Sequence, residues 1–158
     1  MSTPVSPEEW DAWRTFHSMR RKLDLALERQ LQRDAEISGA DYGVLLQLFE
    51  APGKQLRGRD LGERLSWEKS RVSHQVSRME KRGLVERREC ETDLRGSWVG
   101  LTTDGSRAVL GAMREHAATL RRYFFDVLDP AELAAFTAVS KRVIDVVEPE
   151  IRGTPDDS

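Results

Sequence analysis

Residues 66–105 read SWEKSRVSHQVSRMEKRGLVERRECETDLRGSWVGLTTDG, and this stretch decides the fold. Its first half carries a helical period. Val72, Val76 and Met79 recur at steps of four and three, which puts them on one face. Ser66 is a candidate N-cap, and the spacing predicts a helix from about Trp67 to Arg82, with Gly83 as the glycine that ends it. The stripe stops at Leu84. Leu84 to Cys90 and Trp98 to Leu101 are short runs without helical spacing, and the polar stretch Glu91 to Ser97 between them contains Gly96. This pattern reads as a two-stranded hairpin with a long charged tip. Arg57 to Leu65 reads as a shorter helix just before. The order is therefore helix, turn, helix, hairpin.

Such a unit presents one helix to the major groove of DNA and its hairpin to an adjacent groove or the backbone. Opposite the apolar face of the second helix lie Ser70, His74, Ser77 and Lys81, flanked by Trp67, Lys69, Arg71, Ser73 and Arg78. Hydroxyl, imidazole and guanidinium groups suit base edges and phosphates, and short serines permit close approach to the groove floor. A solvated polar face is the ordinary meaning of such a pattern in an isolated helix. The hairpin shifts the reading toward DNA. Arg87 and Arg88 lie on its first strand and Arg95 near its tip, with Asp93 two residues away to orient the Arg95 guanidinium. An arginine so held suits the negative potential of a minor groove. An ordinary charged hairpin with a local ion pair is the plainer alternative.

Outward from this centre the chain is helical. Ser6 and Pro7 open a long first helix from about Glu8 to Arg33, on which Leu23, Leu27 and Leu31 step by four and Trp10, Trp13 and Phe16 extend the face. Ser38 or Asp41 caps a second helix that runs to Glu50, where Ala51-Pro52-Gly53 stops it. Beyond the hairpin, Thr102, Thr103 or Asp104 caps a fifth helix reaching about Leu128. Asp129-Pro130 opens a sixth, ending near Pro149, and residues 149–158 read as a flexible tail. The fold class is mainly α with a small β-hairpin wing: a winged helix-turn-helix over 38–101, with flanking helices over 8–33 and 103–148.

Composition sets outer limits. The chain has 158 residues, 39% hydrophobic and 33% charged, enough for one domain with its own core. No apolar run has the length of a membrane span, no basic and apolar leader opens the chain, and Cys90 is the lone cysteine. A cytoplasmic protein is the expectation. Net charge is only −2, which speaks mildly against nucleic acid, but Arg57 to Trp98 carries +3 and the rest −5. No nucleotide loop, nucleophile elbow or HExxH helix is present, so no enzyme and no cofactor are expected. His17, His74 and His116 are scattered and predict no metal site. Cys90 reads as an ordinary thiol at the end of a wing strand, although oxidation there would disturb the wing.

Four blocks, in order and spacing, resemble the multiple antibiotic resistance regulator (MarR) family. They are Ser70-Arg71-Val72-Ser73, Met79 to Val85, Asp93-Leu94-Arg95-Gly96 and Leu101 to Gly105. With the helical layout on both sides, the resemblance spans about residues 8–148. It implies a homodimer on double-stranded DNA, with the terminal helices as the dimerisation region, the fourth helix as recognition helix and the hairpin as wing. Asp93 and Arg95 stand where the family has its wing acid and groove-inserting arginine. The apolar residues Leu120, Phe124, Val127, Leu128, Leu133, Phe136, Val139, Val143, Ile144 and Val147 agree with such a dimer, although packing within one chain would use them equally well. The resemblance also implies a small phenolic or anionic effector, for which Trp13, His17 and Arg20 on one side of the first helix are candidates; a solvated arginine beside core aromatics is the plainer reading. The reading that follows is a transcriptional regulator, a repressor by expectation, on a roughly palindromic operator. A winged-helix scaffold for protein partners is the alternative.

Overall fold

The computed structural model describes residues 4–90 and 93–152; the side chains of residues 89, 90, 93–96 and 152 lie outside that description. Two compact units divide between Thr119 and Leu120.

In the first unit, helix α1 (Pro7–Ala35) begins with a capping box. Ser6 Oγ accepts the Glu9 N–H at 3.2 Å and the Ser6 N–H donates to Glu9 Oε2 at 2.7 Å. Helix α2 (Gly39–Glu50) begins the same way, with Ser38 as the cap and Asp41 as its reciprocal carboxylate. Both residues named as rival caps thus act together. Strand β1 (Gln55–Arg57) follows the Pro52–Lys54 turn. It is an addition to the expected hairpin and makes the sheet three-stranded, ordered β1-β3-β2. Three residues are too few for a visible alternation, so the sequence carried no signal for it. Arg57 consequently caps helix α3 (Gly58–Leu65) rather than starting it.

Between α3 and helix α4 (Lys69–Lys81) the expectation for Ser66 is overturned. Ser66 ends α3 in the left-handed region at φ 53°, and the Trp67 N–H returns to the Gly62 carbonyl at 2.9 Å. That closure keeps Ser66 and Trp67 out of α4, whose cap is Glu68. The far end of α4 is as read. Gly83 takes φ 73°, its N–H donates to Glu80 O at 2.9 Å, and the Leu84 N–H reaches Met79 O at 3.0 Å. This six-to-one closure needs a residue without a Cβ penalty at positive φ.

Strand β2 (Val85–Cys90) pairs antiparallel with β3 (Asp93–Leu101), down to Cys90 opposite Asp93. The long tip expected over Glu91 to Ser97 is therefore mostly strand. Helix α5 (Thr103–Tyr123) is capped by Thr102, whose Oγ1 accepts the Gly105 N–H at 2.9 Å. The core joins these elements through Leu31, Val44, Leu45, Leu48, Leu61, Val76, Met79, Val85, Val99 and Val109. Leu23 and Leu27 are half-buried, while Trp10, Trp13 and Phe16 are exposed.

In the second unit, α5 stops at Tyr123, short of the expected Leu128. Phe124 leaves helical geometry, and its ring meets Phe136 edge-on at 5.3 Å on helix α6 (Pro130–Arg152). A helix continued through Phe124 would forgo the turn that makes this contact. Asp129 and Glu132 form the α6 capping box, with both bonds at 2.8 Å. Helix α6 runs past Pro149 to Arg152, so the first residues assigned to a tail are its last turn. A proline near a helix end removes only one bond of the ladder.

Candidate nucleic-acid interface

Val72, Val76 and Met79 anchor α4 to the core, and all three are buried. The helix is pinned on that side and open on the other. Lys69, Ser70, Arg71, Ser73, His74 and Arg78 are exposed and Ser77 is half-buried. Trp67 stands apart. It is half-buried in the turn before α4, and the Arg71 guanidinium lies 4.2 Å over its ring. An indole face attracts a cation, so Trp67 acts as a shelf for Arg71 at the rim of the open surface.

The two arginines of β2 part company, because neighbours on a strand face opposite ways. Arg87 lies on the same side as Val85 and turns toward α4. Its guanidinium pairs with Glu80 and donates to Ser77 Oγ at 2.9 Å and to the Ser73 carbonyl at 3.4 Å. The Arg87 backbone N–H also donates to Glu80 Oε1 at 3.1 Å. These bonds, the backbone one foremost, hold the Glu80 carboxyl below its ordinary range. Arg88 lies on the other side of the sheet, over Gly100. It donates to Glu86 Oε1 at 2.8 Å and to Gln55 Oε1 at 3.1 Å, tying strands β2 and β1. Both were expected among the DNA contacts; in the structure each has protein partners. Asp93 and Arg95 are residues of β3, and their side chains, like that of Cys90, lie outside the described residues.

Sequence reasoning missed a polar cluster behind α4. Gln75 and Asp41 are both buried, and Gln75 Nε2 donates to Asp41 Oδ1 at 2.6 Å. Arg82 Nη1 donates to Asp41 Oδ2 at 2.6 Å, and its Nη2 to the Glu36 carbonyl at 2.8 Å. The signal was available. Gln75 sits between Val72 and Val76 on the buried side of the helix, and a buried amide must have partners.

The candidate effector residues are partly brought together. Trp13 and His17 meet edge-on with ring centroids 4.3 Å apart, and Phe16 lies 5.9 Å and 5.7 Å from them. Arg20 is exposed further along α1. An open groove of about 430 Å³ beside Trp13 is lined by Pro4, Val5, Glu9 and Trp10 as well, without His17 or Arg20.

Sco3205 of Streptomyces coelicolor, a MarR family transcriptional regulator solved in complex with DNA, is 32% identical, with a TM-score of 0.91 over 94% of this chain and 93% of its own. The chain belongs to the MarR family. The MarR family model matches residues 36–96. AbsC, another MarR family transcriptional regulator from S. coelicolor, is 33% identical, with a TM-score of 0.86 over 97% of this chain and all of its own. The PcaV transcriptional regulator of the same organism, solved with its natural ligand, is 25% identical, with a TM-score of 0.71 over 92% and 97% of the two chains. No curated protein matched. The MarR family comprises transcriptional regulators, not enzymes. In this MarR chain, α3 and α4 are the helix-turn-helix and β2–β3 the wing. Among the described residues no helix is long and apolar enough to cross a membrane, and no three His, Cys, Asp or Glu side chains gather as a metal site.

Proposed function

We propose that the protein is a homodimeric, cytoplasmic transcriptional repressor that reads a roughly palindromic operator. Each subunit lays α4 in a major groove and its wing in or beside a minor groove, with half-sites about one helical turn apart. The observation that carries this reading is the division of α4. One side is sealed by Val72, Val76 and Met79, and the other exposes Lys69, Ser70, Arg71, Ser73, His74 and Arg78. Arg95 on β3 is the wing residue assigned to the minor groove, with Asp93 as its orienting acid. Arg87 and Arg88 set the wing's position.

The dimer is supported by apolar surface. Trp10, Trp13 and Phe16 on α1 are exposed, as are Val139, Val143 and Val147, which recur along one face of α6. Exposed apolar faces of this extent belong to interfaces. Residues 8–33 and 103–148 are the assigned dimerisation helices.

For the signal, the Trp13–His17 ring pair with Arg20 on the same helix favours a small aromatic acid, stacked on the rings and held by the cation. PcaV, with its bound natural ligand, lends this support by likeness. Trp13 fluorescence and thermal stability are expected to respond to a panel of aromatic acids; a flat response in both rejects this effector.

Selection of bound duplexes from a random pool tests the main reading, followed by gel shift on the chain's own upstream region. A palindromic consensus retained by a dimer, and released or tightened by metabolite extract, is expected. A pool that never enriches would favour the scaffold reading.

A further inference from the structure

Gln75 is only 3% exposed on a helix whose other buried side chains are apolar. Its surroundings dictate how its amide lies. Asp41 is equally buried, and a carboxylate only accepts hydrogen bonds. Its Oδ2 already takes the Ser38 N–H at 2.9 Å and Arg82 Nη1 at 2.6 Å. Its Oδ1 takes Gln75 Nε2 at 2.6 Å. The Gln75 carbonyl oxygen must then face the other way, and there Arg78 Nη2 donates to it. A guanidinium only donates, so just one amide orientation satisfies both neighbours. Arg78 itself is exposed on α4, on the flank that carries Arg71. A guanidinium has five N–H groups, so the bond from Nη2 to Gln75 restrains where the group lies and leaves donors for a fork. Two such donors match the paired acceptors of a guanine in the major groove.

We propose that Gln75 is a positioning residue for DNA recognition: buried Asp41 orients its amide, and the amide aims Arg78 at a base edge, which makes Arg78 a determinant of sequence preference. This inference rests on the reading of α4 as the recognition helix.

The test uses the full chain and the duplex that the wild type selects from a random pool. Arg78→Ala is expected to weaken binding about tenfold and to flatten the preference at one or two base pairs of each half-site. Gln75→Met is expected to weaken binding several-fold and to flatten the same base pairs. Asp41→Asn is the second route to the same effect: it keeps the shape of the side chain and removes the charge that pairs with Arg82. Its amide nitrogen would face Gln75, turn the Gln75 amide over, and set N–H against N–H at Arg78. Neither Gln75→Met nor Asp41→Asn is expected to add anything in an Arg78→Ala background, which a merely structural role would not reproduce. Preference intact in both buried variants, or a loss of equal size without Arg78, overturns the proposal. A wild type that enriches no DNA overturns the recognition-helix reading itself. A wild type that enriches a site whose preference survives Arg78→Ala overturns this inference alone.

Discussion

Glu80, in the last turn of α4, holds Arg87 of β2 by both backbone and side chain. Its Oε1 takes the Arg87 N–H at 3.1 Å while Oε2 meets the guanidinium, which also reaches Ser77 Oγ at 2.9 Å. These bonds tie the end of the helix to the first strand of the wing. Both side chains are part-exposed, so the pair contributes little to overall stability, and its consequence is the angle at which the wing leaves the helix. Glu80→Gln and Arg87→Ala are each expected to weaken operator binding about two- to fivefold, and the double variant no more than either alone. If Arg87→Ala cost tenfold or more while Glu80→Gln cost nothing, Arg87 would be a direct DNA contact instead. A gel-shift titration at fixed salt decides between them.

Gly105 and Gly111, both on α5, are predicted to respond oppositely to alanine. A Cβ on Gly105 would lie 2.0 Å from the Leu84 carbonyl oxygen and 2.8 Å from Leu101 Cδ1. The first is backbone and cannot swing aside, because the Leu84 carbonyl is held by the Thr102 N–H at 3.3 Å. Gly105→Ala must push α5 off the hairpin and is expected to cost about 2–4 kcal/mol. A Cβ on Gly111 meets nothing within 4 Å. Gly111→Ala should gain about 0.5–1 kcal/mol from helix propensity alone. Urea unfolding of the two variants checks both signs.

The same contrast shows what could be read in advance. Periodicity found α4 and its buried face because Val72, Val76 and Met79 repeat at helical steps. Gly83 and the Ser6, Ser38 and Asp129 caps were legible because capping chemistry is local. Strand β1 was not, since Gln55-Leu56-Arg57 becomes a strand only by pairing with Trp98 to Gly100, more than forty residues on. Ser66 was misplaced for a related reason. A serine before a helix caps it in most settings, but here the Trp67 N–H is taken by Gly62 behind it. In the site, the exposed face of α4 between Lys69 and Arg78 followed from the period. The inward turn of Arg87 and the Asp41–Gln75–Arg78 chain did not, because each depends on which elements pack against α4.

Arg95 stands on β3, and its proposed place in a minor groove has a plain thermodynamic signature. Arg95→Ala is expected to weaken operator binding by roughly 1–3 kcal/mol. The slope of log affinity against log salt should become shallower by about one unit, since one cation no longer displaces counterions. Titrations at several salt concentrations check both quantities. Unchanged affinity with an unchanged slope would remove Arg95 from the interface.

His116 of α5 meets both α1 and α2 through its ring. Its ring is half-buried against Tyr42, with centroids 4.5 Å apart, and its Nδ1 lies 3.1 Å from Gln30 Oε1. Gln30 is buried and its Nε2 donates to Asp34 Oδ2 at 3.1 Å, so its oxygen faces the imidazole. A neutral ring with its proton on Nδ1 satisfies that oxygen. Burial disfavours a second proton and holds the His116 pKa below the ordinary value of 6.5. The unfolded chain titrates at the ordinary value. Above it both states are neutral and the full stability is present. As pH falls below it, the unfolded state takes the proton first and stability is lost on the way down through the folded pKa. Melting temperature should therefore drop between pH 7 and pH 5. The slope stays below the ~1.4 kcal/mol per pH unit that one proton can carry, because the ring is only half-buried. His116→Gln keeps a donor for Gln30 and removes the titration, so its melting temperature should fall less over the same interval. Asp34 and Glu80, whose carboxyls are held low, titrate below this window. Parallel curves for the wild type and His116→Gln between pH 7 and pH 5 would show that the His116 proton does not couple to folding.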